Sequence, residues 1–250
     1  MAVNRSGPRQ IRLPKASGAL ANELRAQILE QQLEPGDSLP SEPELIQMFG
    51  LSRGTVREAL RLLEADGFIE IRRGPRGGIM VSHPDIDVVS RSLATQLTVG
   101  RTPLRSIFEF RKLIEPAVAA AAAKDATDEQ KQKLVEFAED SAAGDSAFHD
   151  LLADCVENDV LRTIMSAINR VVGWQTRVDD IPAEGVKAAG RAHAKIAAAI
   201  VAGDGDTAAL VMRKHIEAFE KVMDQAGRLE GPILPRDRWV GYLRQTHYGE

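Results

Sequence analysis

The fold is decided by residues 39–68, which read LPSEPELIQMFGLSRGTVREALRLLEADGF. Ser41 is followed three residues later by Glu44, a spacing typical of a capping box at the start of a helix. The apolar residues after it continue the helix to Phe49, and Gly50 ends it because glycine readily adopts the left-handed conformation that closes helices. The stretch therefore predicts a short helix followed by a tight turn.

A second helix begins directly after that turn. Ser52 is its predicted N-cap, and its buried side is predicted by apolar residues at helical spacing, Val56, Leu60 and Leu63. Its polar side carries Arg53, Thr55, Arg57 and Arg61. Such a helix has the shape and the donors needed to enter a DNA major groove and to bond bases and phosphates. The alternative is an ordinary surface helix with scattered arginines.

Two short alternating segments follow, and they flank a basic tip rich in glycine within residues 68–81. This pattern predicts a β-hairpin, or wing, whose glycines permit positive φ and whose arginines can reach a DNA groove or backbone. An earlier helix is predicted by apolar residues at helical spacing, namely Leu20, Leu24, Ile28 and Leu29. Three helices and a wing make a winged helix-turn-helix domain, which we predict over residues 18–82.

The composition fits a mainly α-helical protein of one or two domains. The chain has 250 residues, of which 44% are hydrophobic and 4% aromatic, and its alanine runs favour helix. The net charge is −4, but residues 1–82 carry a net +1 and residues 83–250 a net −5. Basic charge at the front fits a phosphate-facing surface, with a merely solvated surface as the alternative. Residues 1–17 lack periodicity and predict a disordered basic arm.

The sequence also argues against several classes of protein. The single cysteine, Cys155, cannot form an internal disulfide. No apolar run is long enough to cross a bilayer, and the residues after Met1 show no signal-peptide pattern. We therefore expect a cytoplasmic protein without a membrane partner.

A second, all-α domain is predicted over residues 88–228. Residues 83–87 read as a linker, because a proline disfavours helix in the residue before it. The amphipathic periods that follow are separated by helix-breaking residues and predict a bundle of six or seven antiparallel helices. The sequence does not place the tail at residues 229–250. It is either disordered or docks through Trp239 and Tyr242 on a partner subunit or on the bundle.

Three histidines of this second domain lie on apolar stripes. His149 shares a helix face with Asp145, four residues earlier, while His193 and His215 lie on two other apolar faces. A single inward histidine is usually a core residue bonded to a backbone carbonyl. Three histidines and a carboxylate that converge would instead suit a divalent ion such as Zn²⁺, Ni²⁺ or Mn²⁺.

Arg111 lies on the apolar side of its helix, and a buried guanidinium needs an anionic partner. That partner is either internal, such as Glu115 one turn later, or the carboxylate of a small effector whose other oxygens reach the metal. Asn169 and Trp174, on a later helix, are further candidates for the effector site. Ordinary core packing is the alternative for the tryptophan.

The first domain resembles the GntR superfamily of bacterial transcription regulators. The resemblance is carried by Leu39-Pro40-Ser41-Glu42, Glu44-Leu45, Gly50-Leu51-Ser52-Arg53, Val56-Arg57-Glu58-Ala59-Leu60, Leu63-Glu64 and Gly67. It implies that Arg53 and Arg57 contact an operator, assisted by side chains of the same turn, Ser52 and Thr55. It implies also that Arg73 and Gly74, in the wing, approach the minor groove. The partner is then double-stranded DNA with an inverted repeat, read by a homodimer.

The second domain resembles the FadR-like branch of that superfamily, whose members carry an FCD ligand-binding domain. The residues that carry this resemblance are Asp145, Phe148-His149, Asn158, His193 and His215, in an all-helical domain after such a head. The resemblance implies that the aspartate and the three histidines bind a metal at the floor of an effector cavity.

These features together predict a metal-containing transcription regulator, with repression as the expected sign, whose operator affinity is controlled by a small organic acid. One alternative is a regulator for which the metal ion itself is the signal. Another is a metal-dependent hydrolase, but no general base and no HExxH or Ser/His/Asp arrangement is visible in the sequence. We therefore expect no enzyme activity.

Overall fold

A computed structural model describes residues 15–74, 77–139, 145–176 and 183–246 of the chain. The chain divides into two compact units, residues 1–88 and residues 89–250. Within the described residues, the first holds three complete helices and a two-stranded wing, and the second is helical apart from its turns and one isolated bridge between Pro103 and Pro232. This confirms the predicted fold class, a winged helix-turn-helix head followed by an all-α bundle.

The three helices of the head are α1 (Ala16–Glu30), α2 (Glu42–Phe49) and α3 (Arg53–Ala65). They pack their apolar stripes into one core, with buried side chains that include Leu20, Leu24, Ile28, Leu45, Val56, Leu60 and Leu63. Leu29 differs from the prediction, because its side chain is 67% exposed near the end of α1. The capping box is present, since the Ser41 amide donates to the Glu44 carboxylate at 2.7 Å.

Helix α1 begins earlier than the sequence predicted. Ala16 and Ser17, which were assigned to the disordered arm, form its first turn, and Ser17 is buried. Lys15 is the N-cap of this helix. The remainder of the predicted arm, residues 1–14, lies outside the described residues.

The wing consists of β1 (Ile69–Arg72) and β2 (Gly78–Val81), which pair antiparallel with Ile69 opposite Val81. Both of these residues face the core of the head. Gly67, just before the wing, has φ +75°, and a Cβ added there would lie 2.9 Å from the Cα of Pro84. Glycine is therefore required at this position both for its backbone conformation and for the close passage of the chain after the wing.

The helical unit contains the predicted succession of amphipathic helices. Its helices are α4 (Ile86–Val99), α5 (Leu104–Asp125), α6 (Asp128–Glu139), α7 (Asp145–Asp154), α8 (Asp159–Thr176), α9 (Ala183–Val201) and α10 (Gly205–Gln225). Since α4 begins at Ile86, the last two residues of the predicted linker, 86 and 87, are helical. Helix α5 packs against α7, α9 and α10, and its inward face is mostly apolar. None of the described helices is both long and apolar enough to span a membrane.

The tail that the sequence left unplaced packs on this unit. Its described part, residues 229–246, includes α11 (Arg236–Thr246), and the side chains of Ile233, Leu234 and Trp239 are buried in the same core as those of the bundle. Backbone hydrogen bonds join the segment before α11 to the start of α5, including one from Leu104 to Gly231 at 2.9 Å. The described part of the tail therefore docks on the bundle.

Candidate functional site

The first turn of α3 is exposed and held by its own cap. The Ser52 hydroxyl accepts a hydrogen bond from the Thr55 amide at 3.2 Å and lies 2.8 Å from the Thr55 hydroxyl. This geometry fixes the start of the helix and leaves its amide end toward solvent, where phosphate oxygens are favoured.

Three arginines extend from the same helix into solvent. The side chains of Arg53 and Arg57 are 74% and 57% exposed, and both approach the Glu42 carboxylate, at 3.4 and 3.9 Å. Arg61 approaches Glu58 at 3.6 Å. Exposed pairs of this kind contribute little to stability and are screened by salt, so a phosphate can replace the carboxylate at low cost.

The wing carries the remaining residues that were predicted to contact DNA, Arg73 and Gly74. Arg73 and Gly74 are exposed just beyond the end of β1, and Gly74 has φ +107°. The tip residues 75 and 76 lie outside the described part of the chain. Thus the structure brings the predicted α3 residues onto one solvent-facing surface, and it leaves the described wing residues open to solvent.

The three predicted histidines converge inside the helical unit. His149 comes from α7, His193 from α9 and His215 from α10, and one ring nitrogen from each lies within 4.8 Å of the others. All three side chains are buried, and the Nε2 atoms of His149 and His215 are 3.3 Å apart. The fourth predicted ligand, Asp145, begins α7, but its side chain lies outside the described residues. We call the three residues the histidine cluster.

The histidine cluster fits a divalent transition-metal ion. Three imidazole nitrogens at this separation provide the nitrogen ligands that Zn²⁺, Ni²⁺ and Mn²⁺ accept, and water or a carboxylate would complete the coordination. The His193 ring stacks on Phe148 with centroids 4.1 Å apart, so apolar packing fixes one wall of the site.

A buried ionic network lies directly beside the histidine cluster. The Arg111 Nε atom donates to Glu115 Oε1 at 2.5 Å, and Arg111 Nη2 lies 2.9 Å from His149 Nε2. The second oxygen of Glu115, Oε2, lies 2.8 Å from His149 Nδ1. Arg111 is 1% exposed and Glu115 0%. Arg111 is therefore paired with Glu115, the internal partner named from the sequence.

The ionisation of Glu115 follows from its neighbours. Burial by itself raises the pKa of this carboxyl, but the Arg111 charge and the contact with His149 outweigh it and lower the pKa to about 2. Glu115 is thus an anion at neutral pH. Only its spacing from Arg111 could be seen in the sequence, since the contact with His149 depends on how α5 packs against α7.

The other two predicted effector residues have partners elsewhere. The Asn169 side chain donates to Asp150 Oδ1 at 2.9 Å, and burial raises the pKa of Asp150. Trp174 packs against two aromatic rings of the C-terminal segment, Trp239 and Tyr242, with centroids 5.1 Å away in each case. The structure therefore places Trp174 in an aromatic core.

A groove between α9 and α10 borders one member of the histidine cluster, His215. Its volume is about 380 Å³, and His215 forms part of its lining. Three cationic side chains line it, those of Arg191, Lys195 and Lys214. Its apolar lining includes Val211, Phe219 and Val222. Arg111, Asn169 and Trp174 are not among the described residues that line this groove, and sequence reasoning missed the three cations because each lies on the exposed side of its helix.

Two family models match the chain, one on each unit. The model for bacterial regulatory proteins of the gntR family matches residues 16–81, and the model for the FCD domain matches residues 106–218. The matched ranges contain α3 and the histidine cluster respectively.

Curated relatives and a solved structure agree with these matches. The HTH-type transcriptional regulator LutR of Bacillus subtilis is 28% identical over 215 residues, which cover 77% of this chain and 94% of LutR. The HTH-type transcriptional repressor NanR of Cronobacter sakazakii is 31% identical over 181 residues, which cover 67% of this chain and 69% of that protein. A GntR structure from Streptococcus agalactiae is 26% identical, has a TM-score of 0.61, and matches 82% of this chain and 99% of its own. These relatives are transcription regulators, not enzymes.

Proposed function

Because this chain belongs to the GntR family of bacterial transcription regulators and carries an FCD domain, we propose that a small organic acid controls its operator affinity from the helical unit. The acid binds beside a divalent metal held by the histidine cluster. The protein acts as a homodimeric repressor on an inverted-repeat operator, and hence in the cytoplasm, where the chromosome lies. NanR, one of its relatives, is named a repressor.

The single observation that carries the proposal is the convergence of His149, His193 and His215 from three helices at one buried point. A lone buried histidine needs only a hydrogen-bond partner. Three imidazoles at one point can coordinate one cation together. Asp145 stays in the proposal as a fourth ligand.

The groove between α9 and α10 supports an anionic effector. Arg191, Lys195 and Lys214 supply positive charge along it, while its apolar lining suits the body of an organic acid. His215 borders both the groove and the histidine cluster, so an acid in the groove can approach the metal. Of the three residues predicted to bind the effector, Arg111 lies beside the cluster and stays in the proposed site. Asn169 and Trp174 also stay in the proposal as effector-binding residues.

Control of DNA binding requires that the acid bind more tightly to one dimer arrangement than to another. Two heads on one dimer read two half-sites, so their spacing decides operator affinity. The acid therefore lowers operator affinity if it favours a spacing that the operator does not match.

Two measurements test the proposal. Elemental analysis of the purified protein should find about one divalent metal per chain in the wild type and a large loss in His193→Ala. Selection of bound fragments from a random DNA pool should recover an inverted repeat with the wild type and none with the Arg53→Ala/Arg57→Ala double variant. Full metal retention in His193→Ala would contradict metal binding by the histidine cluster. Recovery of DNA fragments without a shared sequence by the wild type would contradict sequence-specific operator binding.

A second candidate function is regulation by the metal ion alone. It shares the histidine cluster and needs no organic ligand. Operator affinity should then change when a chelator strips the metal from the purified protein in the absence of any acid. Under the main proposal, stripping abolishes the response to added acids and leaves operator binding itself in place.

A further inference from the structure

The tautomer of His149 can be read from its neighbours. A guanidinium group carries five N–H donors and no acceptor. Since Arg111 Nη2 lies 2.9 Å from His149 Nε2, this ring nitrogen must accept the hydrogen bond. The proton of the neutral ring then lies on Nδ1, which faces the Glu115 carboxylate at 2.8 Å.

The contact between Glu115 and His149 is the arrangement found behind metal-ligating histidines. Such histidines donate the second ring N–H to a carboxylate or carbonyl, which fixes the ring and makes the ligating nitrogen more basic. Here Glu115 Oε1 accepts from Arg111 Nε, while Oε2 lies 2.8 Å from His149 Nδ1 and also accepts from Arg111 Nη2 at 3.4 Å. His149 Nε2 is therefore the atom that faces His215 and the rest of the histidine cluster.

Arg111 and a metal ion compete for the same atom. A neutral imidazole has one lone pair on its unprotonated nitrogen, and it cannot both accept from Arg111 and ligate a cation. We propose that Arg111 acts as a gate residue. Its Nη2 group donates to His149 Nε2 until a divalent cation displaces it, while Arg111 Nε remains hydrogen-bonded to Glu115. This inference rests on the proposed metal site.

Displacement gives Arg111 a second role. The guanidinium stays bonded to Glu115 through Nε. The Nη2 hydrogen that had been donated to His149 then becomes available at the border of the histidine cluster. A carboxylate is the group that such an edge recognises. Metal binding thus prepares the site for an organic acid, which links the two ligands without a movement of the helices.

The gate predicts opposite effects for two substitutions on α5. Arg111→Gln removes the competing donor and its positive charge, so metal affinity should rise roughly tenfold, the effect of losing one charge-assisted hydrogen bond. Glu115→Gln removes the carboxylate that supports the ligand, so metal affinity should fall roughly tenfold or more. Lys112→Gln is the matched control, because it changes the same charge at the next position, where the side chain pairs with Glu220 instead.

The measurement is a competition titration of the metal-free full-length protein with Zn²⁺ and a chromophoric chelator. A purely structural role for Arg111 predicts that Arg111→Gln weakens Zn²⁺ binding or leaves it unchanged, and either result would overturn the gate. If His193→Ala loses its metal while Arg111→Gln shows no gain, the proposed metal site stands and the gate alone fails. If the wild type binds no Zn²⁺, both fail.

A second readout does not depend on the variant folding. In the metal-free wild type, nitrogen-15 NMR of the imidazoles should show His149 with its proton on Nδ1, and Zn²⁺ should shift the Nε2 signal together with the Nη signals of Arg111. A His149 ring protonated on Nε2 in the metal-free protein would overturn the inference, as would Nη signals that do not respond to Zn²⁺.

Discussion

The arginines on α3 of the head and Arg111 of the helical unit differ in exposure and in how they are paired. Arg53 is 74% exposed and only approaches a carboxylate, whereas Arg111 is 1% exposed and is fully engaged by its neighbours. An exposed charge is solvated already and can exchange one anion for another at little cost. A buried charge needs a partner in the folded unit. A ligand can therefore bind to it only by replacing an existing contact.

This difference separates binding from stability. Substitutions on the exposed face of α3 should change DNA affinity and leave unfolding nearly unaffected. Substitutions in the network beside the histidine cluster should change the free energy of unfolding as well as ligand binding. The predictions below compare buried and exposed positions of the two units, from the largest expected effect to the smallest.

Glu115→Gln should lower the free energy of unfolding of the metal-free protein by about 3–5 kcal/mol, because it leaves Arg111 buried beside a neutral group. Urea denaturation measures this change. The control is Glu220→Gln, which breaks the half-buried pair with Lys112 and should cost about 1 kcal/mol or less. Equal losses in the two variants would show that burial does not distinguish the pairs.

The pH dependence sharpens the same prediction. The pKa of Glu115 falls from 4.5 to about 2 on folding, so its stabilisation is fully present above about pH 4.5 and is lost as the pH falls toward 2. Glu115→Gln should therefore show a weaker fall in stability between these pH values than the wild type.

Trp239→Ala should lower the free energy of unfolding of the helical unit by about 3 kcal/mol, since it removes a buried indole that packs on Trp174 and donates to the Thr95 hydroxyl at 3.2 Å. Thermal unfolding followed by calorimetry measures it. Val240→Ala, at the adjacent exposed position, should change stability by less than about 0.5 kcal/mol. A stable Trp239→Ala variant would mean that the C-terminal segment adds little to the bundle.

Arg57→Ala should weaken operator binding by about 1–3 kcal/mol and reduce the salt dependence by about one phosphate contact. Its unfolding should match that of the wild type within about 0.5 kcal/mol. Fluorescence anisotropy with a labelled operator at several salt concentrations measures the first effect. Arg213→Ala, an exposed arginine of the helical unit, should bind DNA as the wild type does.

Glu42→Gln should give the smallest effect and the opposite sign. It removes the carboxylate that both Arg53 and Arg57 approach, so DNA affinity should rise by up to about 1 kcal/mol while stability hardly changes. The same anisotropy assay measures it, with Glu30→Gln on α1 as the control. A fall in affinity would show that Glu42 positions the arginines for DNA rather than competing with it.

Local signals in the sequence were sufficient for most of the fold. The Ser41–Glu44 capping box, the glycine after Phe49 and the alternation around the wing each act within a few residues, so they place helices and strands without knowledge of packing. The three histidines could be predicted to converge because each lies on an apolar stripe, and apolar stripes of a bundle face one core.

Contacts between distant segments were beyond such reasoning. The contact between Glu115 and His149 depends on the rotation of α5 against α7, which periodicity does not determine. Trp239 gave no periodic signal, since α11 is short and mostly polar. The cations of the groove were missed because an exposed lysine on a helix looks the same whether it borders a ligand site or open solvent.

The burial of Trp239 has a consequence for synthesis on the ribosome. The core of the head is complete once Val81 has been made, whereas the core of the helical unit includes a side chain near residue 240. The head can therefore fold while most of the chain is still being translated, but the bundle reaches its full core only when its last helix emerges. A nascent chain thus acquires its winged helix well before it acquires the completed unit proposed to control it.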